Sequence, residues 1–483
     1  MTLAVFAGVY VAIGGAVFPI DDAFINLHNA QVVREGHDAS YVGVPALVGA
    51  TSGVHLALLL AIEHIVSPDT LALFVLGALS GALYVLGLFL ICTNVGCASH
   101  EAMLIALGGL ILAGTLFQFL NGMDTGLAMA AIAWNIKLLT DRRRTLSLPL
   151  LCGIMPFIRP ELGFLSIASM LMVLWEDRDP RVRIAACAVA MLGALPFPLW
   201  YWIDTGSWFP STAGAKMYYF ADRDLDMSDK ALFLLTAMSR AAVATFPLFL
   251  CVRCIRPRGL GLMLALFAMV FVGSYLWRFP SGLVHNGGRY LYLFAPIVLF
   301  GVACGLTSSA RRHSLRLAAV AMLFLPLAIG AQASVYVGHL RGYSRSLADA
   351  VRWMNDNLPG TPTVMVHDAG YVAYAGHFPL IDLVGLKTPA ASEFHRRLTY
   401  PSVGRQRPEA IAGIARSFGP DYLLAIQNWD EIFGITDGLR QNGWTVTEVY
   451  AGQASPDTPA ADIYHVYRLT GSPPPATGGK STD

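Results

Sequence analysis

The chain has 483 residues, 55% of them hydrophobic and 13% charged, with a formal net charge of +1 and a mean hydropathy of +0.55. A soluble globular domain carries about 25% charged residues, so the deficit sets aside an ordinary soluble enzyme and points to a polytopic α-helical membrane protein. The near-zero charge argues against a nucleic-acid partner, which would leave a basic patch.

Residues 1–20 are apolar but lack a basic leader, and Asp21 and Asp22 stand where a small-residue cleavage site would be, so a retained first span is expected. Runs long enough to cross a bilayer recur at about 3–20, 69–92, 101–120, 124–140, 182–203, 231–252, 259–279, 289–306 and 316–335. The run 54–66 is too short to cross and reads as an amphipathic helix in the interface. The stretch 146–175 carries Arg159, Pro160 and Glu161 at its middle, which predicts two short spans meeting at a polar tip. The total is about eleven crossings. The seven cysteines lie in or beside apolar runs, and the CxxC of Cys251 and Cys254 has no second pair or nearby His to complete a metal site, so they read as packing residues.

Arginine collects in "DRRR" (141–144), "EDRDPRVR" (176–183), "RCIRPR" (253–258) and "RRHSLR" (311–316). Alternating spans put all four loops on one side, which the positive-inside rule makes cytoplasmic. The N-terminus then lies inside. The outer face receives the loop 21–68, the tip near 121–124, Arg159 to Glu161, the loops 204–230 and 280–288 and everything after about 338. Domain boundaries follow: a transmembrane domain over 1–338, a small extracytoplasmic α/β domain over 339–470, and a disordered tail over 471–483. Within 339–470, "SLADAVRWMNDNLPG" predicts a helix stopped by Pro-Gly. "TPTVMVHDAG", "FPLIDLVGL", "PDYLLAI", "GWTVTEVY" and "IYHVYRL" predict strands around a helix at 407–417. No internal repeat of the kind many transporters show is visible.

The outer face gathers Asp21, Asp22, His28, His37, Asp124, Arg159, Glu161, Lys216, His285, Arg289, His367 and Asp368. Ionisable groups near bilayer depth are expensive unless paired or functional. Carboxylates beside Lys and Arg suit a reaction on a phosphate-linked substrate, with an acid removing a proton and cations holding the leaving phosphate. Plainer readings stand beside these: a solvated helix cap for Asp21 and Asp22, a snorkelling Lys216 or Arg289, a mutual pair for Arg159 and Glu161, turn-satisfying roles for His367 and Asp368, and surface or structural roles for His28, His37 and His285.

The motifs "DDAFI" (21–25), "REGH" (34–37), "GATSGVHLALLLA" (49–61), "NGMDTGL" (121–127), "IRPELGF" (158–164), "SWFPSTAGAKM" (207–217), "GGRYLYLFAPI" (287–297) and "VHDAGYVAYAGHFPLIDLVGL" (366–386) together resemble the GT-C superfamily of membrane glycosyltransferases. The nearest likeness is to the branch of the mycobacterial terminal arabinofuranosyltransferase. Ala50 and Gly53 depart from that branch's usual Tyr and Pro, and Gly126 is a further departure. The resemblance implies an inverting transfer of a sugar, arabinofuranose by preference, from a polyprenyl-phosphate donor to a hydroxyl of a glycan, lipid or protein acceptor. It places the chain in the bacterial plasma membrane, among membrane lipid, with no nucleic acid involved. By the same resemblance Asp22 or Asp21 is the catalytic base, with Asp22 favoured. Lys216, Arg289, Arg159 and His285 are candidates for the donor phosphate. Asp124, His28, His367 and Asp368 are candidates for the acceptor or sugar. The superfamily admits a divalent cation, Mg or Ca, on the Asp pair, although no metal site is expected here. The alternatives are a transporter or flippase for a lipid-linked sugar and a non-catalytic glycan-binding membrane protein.

Overall fold

The computed structural model describes residues 1–112, 114–141, 145–245, 247–456 and 458–471. Arg142, Arg143 and Arg144 of the first basic loop and residues 472–483 of the expected tail lie outside the described residues. The chain divides into two compact units: 1–18, 51–209 and 226–336 form the first, and 19–50, 210–225 and 337–483 the second.

The first unit is helical. Among the described residues, five helical runs are long and apolar enough to cross a membrane: Asp69–Asn94, Pro180–Thr205, Arg258–Arg278, Pro280–Leu306 and Arg311–Asn357, the last continuing into the second unit. Six shorter apolar helices accompany them: Thr2–Ile13, Gly53–Glu63, Ser99–Ile111, Thr125–Thr140, Ser147–Ile158 and Leu162–Glu176. Several expected spans are therefore interrupted, and the backbone gives the reason. The first helix ends at Gly14 (φ 80°), and the run 101–120 divides into Ser99–Ile111 and Thr115–Leu120 around Gly114 (φ 79°), both left-handed positions suited to glycine. The run from 289 begins as a 3₁₀ turn, Arg289–Phe294, before the fully buried helix Ala295–Leu306. The stretch 146–175 forms Ser147–Ile158 and Leu162–Glu176, broken at Arg159–Glu161. Helices approach closely through small residues, as in membrane bundles. A Cβ added at Gly153 would stand 2.0 Å from the Ala190 carbonyl oxygen, and one at Gly193 would stand 2.7 Å from that of Leu150.

The second unit is built on a five-stranded sheet, β1 (Val364–Val366), β2 (Leu380–Asp382), β3 (Tyr422–Ile426), β4 (Thr445–Ala451) and β5 (Tyr464–Thr470), in the order β2-β1-β3-β5-β4. β1 pairs in parallel with β2 and β3, whereas β5 runs antiparallel to β3 and β4. β1 and β2 are buried throughout, as a strand covered on both faces must be. The helices Tyr343–Asn357 and Arg407–Phe418 direct Leu347, Ala350, Val351, Met354, Ile411 and Ile414 into the same core.

That core also takes Ile25 and Tyr41 from 19–50 and Ala215 and Tyr219 from 210–225. Residues 19–50 and 210–225, expected among the loops of the transmembrane part, thus belong to the compact unit of the C-terminal segment. Their apolar residues explain the placement, since exposed in loops they would forfeit about 1.5–3 kcal/mol of burial for each large side chain.

Candidate active site

Asp21 and Asp22 open the helix Asp21–Glu35, where the N-terminal dipole favours carboxylates. The two neighbours have different environments. Asp21 is buried, and its carboxylate accepts backbone N–H groups from Gly370 (2.8 Å) and Tyr371 (2.6 Å). Burial pushes its carboxyl well above the usual range, Asp368 adds to the rise, and the two N–H groups oppose it. Asp22 keeps 22% of its side-chain surface exposed, and its Oδ2 lies 3.4 Å from Nζ of Lys216, itself 21% exposed. A reachable carboxylate beside a reachable ammonium is an arrangement for taking a proton and steadying an anion.

Lys216 is carried by the helix Thr212–Phe220. The guanidinium of Arg407 caps that helix, donating to the carbonyl oxygens of Tyr219 (3.0 and 3.1 Å) and Phe220 (3.1 Å). The Tyr219 ring stacks on Trp429 and meets Phe433 and His395 edge-on, which fixes the helix laterally.

The helix of Asp22 is held at two levels. At its start, Phe24 packs edge-on against Tyr371, with ring centroids 4.8 Å apart, and Asp21 grips the Gly370 turn. At its middle, Asn29 donates to the carbonyls of Ala46 (2.9 Å) and Val48 (3.1 Å) and accepts from Nζ of Lys387 (3.1 Å). Lys387 is fully buried, and its Nζ stands 3.6 Å from Oδ2 of Asp38 and over the ring of Tyr41. Gly49 leaves room for its stem, since a Cβ there would stand 2.6 Å from Lys387 Cδ. Asp38 also faces His28 Nε2 (3.4 Å) and accepts the N–H groups of Ser40 and Tyr41. Burial would raise the Asp38 carboxyl, but His28, the Tyr41 N–H and Lys387 together hold it below its ordinary value.

His367 and Asp368 follow β1 directly. Asp368 accepts hydroxyl hydrogen bonds from Tyr343 (2.6 Å) and Tyr464, and His367 Nε2 lies 3.3 Å from its Oδ2. His367 is buried between Trp429 and Tyr464, and burial lowers its pKa. Within this unit the structure therefore brings together Asp22 with Lys216, His28 with Asp38, and His367 with Asp368. His28 and His367 are buried partners of carboxylates. Asp38, Lys387 and Asp382, which the sequence reading passed over, are also buried in this unit. Asp382 is fully buried, accepts the N–H groups of Val384 and Lys387, and is pushed up by burial to about 6. An Asp and a Lys in the apolar run "LIDLVGLKT" were the signal available for the last two.

The first unit holds the other candidates. Arg159 is buried at the break between Ser147–Ile158 and Leu162–Glu176. Its Nη1 donates to Asp124 (2.8 Å) and Thr125 (3.3 Å), its Nη2 lies 3.4 Å from Glu161, and Glu161 accepts from the Tyr275 hydroxyl. Arg159 and Arg289 stand on the Tyr290 ring at 4.7 and 5.1 Å, and Arg289 is buried. Asp124 and Arg159 thus serve one another in a buried network. His285 is partly exposed against Phe279.

Among the described residues no group of three or more His, Cys, Asp or Glu could hold a metal ion. The Asp pair does not fit a divalent cation: Asp21 has both oxygens on backbone donors, and Asp22 faces an ammonium.

In fold, the chain is similar to solved structures of membrane enzymes. The chain matches the crystal structure of ArnT from Cupriavidus metallidurans bound to undecaprenyl phosphate at a TM-score of 0.54 and 13% identity, over 96% of this chain and 97% of that one. It matches the apo oligosaccharyltransferase of Archaeoglobus fulgidus at a TM-score of 0.50 and 14% identity, over 92% and 71%. The arabinofuranosyltransferase AftD from Mycobacteria matches at a TM-score of 0.48 and 15% identity over 96% of this chain, which spans 39% of AftD's length. Residues 335–467 match the domain of unknown function DUF8728. No curated protein sequence matches the chain.

Proposed function

We propose that the chain is an inverting membrane glycosyltransferase that moves a sugar from a polyprenyl-phosphate donor to an acceptor hydroxyl. The observation that carries the reading is the Asp22–Lys216 pair, half-open at the start of a helix whose other acid, Asp21, is locked into the fold. The full-length likeness to an enzyme bound to undecaprenyl phosphate supports the donor class. Asp22 takes the proton of the acceptor hydroxyl, the oxygen attacks the anomeric carbon, and the carbon–oxygen bond to the phosphate breaks. Polyprenyl phosphate leaves with that electron pair, and the ammonium of Lys216 steadies its charge. Backside attack inverts the anomeric configuration.

Arabinofuranose is the favoured sugar, on the resemblance of the sequence motifs to the terminal arabinofuranosyltransferase branch. The reaction belongs to the extracytoplasmic face of a bacterial plasma membrane, with the N-terminus cytoplasmic, because the basic loops cluster on the opposite side. The test is transfer by purified protein from polyprenyl-phosphate arabinofuranose and from other polyprenyl-phosphate sugars. Transfer from one of them supports the reading. Donor binding without transfer to any acceptor favours a transporter instead.

A further inference from the structure

The second unit has a concave site apart from the Asp22–Lys216 pair, walled by the helix Tyr343–Asn357, residues 450–455 and Thr458. Its cavity of about 560 Å³ falls within the roughly 300–1,000 Å³ of small-molecule pockets. Trp353 and Tyr450 line it as a stacked pair, with centroids 4.9 Å apart and planes 25° from parallel. Both rings are half-buried, so the pair is fixed by packing yet keeps surface for a ligand.

Three guanidiniums join them: Arg341, Arg345 and Arg352. Asp349 bridges the second and third, with Oδ1 3.0 Å from Arg352 and Oδ2 3.9 Å from Arg345, which orients both groups and leaves further N–H donors on each. Arg341 makes no ion pair among the described residues. Asp356 and Asn357, at the end of the helix, add hydroxyl acceptors. Among the described residues, three cations against the two carboxylates Asp349 and Asp356 give the lining a positive balance.

These groups sort ligands by chemistry. Flat aromatic rings accept the C–H face of a sugar, carboxylate and amide oxygens accept its hydroxyls, and guanidinium forks suit carboxylate or phosphate oxygens. An acyl chain would strand the charged groups unpaired. We propose that this pocket binds an acidic oligosaccharide, one ring lying on the Trp353–Tyr450 pair and its carboxylate or phosphate substituent held by Arg341 and Arg352. The site stands apart from the transfer reading, because none of its residues takes part in that chemistry.

The test is calorimetric binding to the full-length protein in detergent. The probes are an oligogalacturonide, a phosphate-substituted oligosaccharide, a neutral oligosaccharide of equal length and inorganic phosphate. Both acidic oligosaccharides are expected to bind more tightly than the neutral one, and the better of the two identifies the anion. Trp353→Ala should weaken them about tenfold or more, and Trp353→Phe should recover most of the loss. Exposed Arg341→Gln should erase the preference for acidic over neutral probes. Asp22→Asn should bind as wild type does, so a failed transfer reading leaves this result standing. The proposal is overturned if no oligosaccharide binds, if folded Trp353→Ala and Arg341→Gln both bind unchanged, or if inorganic phosphate binds as tightly as the acidic oligosaccharides.

Discussion

The carboxylate of Asp21 and the backbone N–H of Gly370 meet at 2.8 Å across 349 positions of sequence. The contact places the turn after β1 against the first turn of the helix that presents Asp22. It also explains the glycine. A Cβ at 370 would stand 2.3 Å from the Asp21 carbonyl oxygen and 2.8 Å from the backbone nitrogen of Ile25, atoms that cannot move aside cheaply.

Gly370→Ala should therefore destabilise the protein by about 1–3 kcal/mol and reduce transfer, since it pushes on the helix that carries Asp22. Gly338→Ala, where nothing lies within 4 Å of the added carbon, should leave the melting temperature near that of wild type. Equal melting temperatures for the two variants would remove the claimed close approach.

Lys387 and Asp38 form a buried pair that neither partner can leave alone. Lys387→Met leaves the Asp38 charge in the interior with His28 and the Ser40 and Tyr41 N–H groups as its remaining partners and should cost about 1–3 kcal/mol. Lys387→Met with Asp38→Asn should recover a substantial part, because that charge is then gone. Denaturant unfolding of wild type, the two single variants and the double variant gives the coupling. Strict additivity would contradict the pairing.

Burial raises the Asp382 carboxyl from 3.8 to about 6, so between those values the folded state holds a proton that the unfolded state has released. The favourable contribution of this group is complete below about pH 4 and is lost as pH rises through about 6, an effect of order 2–3 kcal/mol. Asp382→Asn cannot lose it. Relative to wild type, the variant should gain stability as pH is raised from 4 to 6.5, measured as the difference in melting temperature at each pH. A difference that stays constant across the range would contradict the buried, raised carboxyl.

Arg407 holds the end of the helix that carries Lys216. Arg407→Ala removes charged hydrogen bonds to the Tyr219 and Phe220 carbonyls and should cost about 1.5–3 kcal/mol. It should also lower transfer in the same direction as Lys216→Ala, through a looser Lys216. Transfer rates and melting curves of the two variants check this. Destabilisation with unchanged kcat would show that the cap does not position Lys216.

The five strands were readable because each is a short apolar or alternating run bounded by Gly, Pro or Asp, as in "PDYLLAI" and "GWTVTEVY". The break at Arg159–Glu161 was readable because charges and Pro160 interrupt an apolar run. The membership of 19–50 and 210–225 in the C-terminal unit was not. It rests on contacts such as the Tyr41 hydroxyl on the Ala369 carbonyl (3.1 Å) and Arg407 on Tyr219, which leave no local pattern. For the same reason the sequence favoured Asp22 over Asp21 without a physical ground, whereas burial and backbone donors separate them. His28 and His367 were candidates for the acceptor or sugar, but their contacts with Asp38 and Asp368 make them parts of the packed interior.

The most direct test is transfer by purified wild type, Asp22→Asn and Asp21→Asn with a polyprenyl-phosphate sugar donor, alongside donor binding and melting temperature. The account predicts that Asp22→Asn loses roughly 10²–10⁴-fold in kcat with donor binding and stability kept, whereas Asp21→Asn shifts the melting temperature because it disturbs the grip on Gly370 and Tyr371. Unimpaired transfer by Asp22→Asn, with activity lost instead in a stably folded Asp21→Asn, would contradict it.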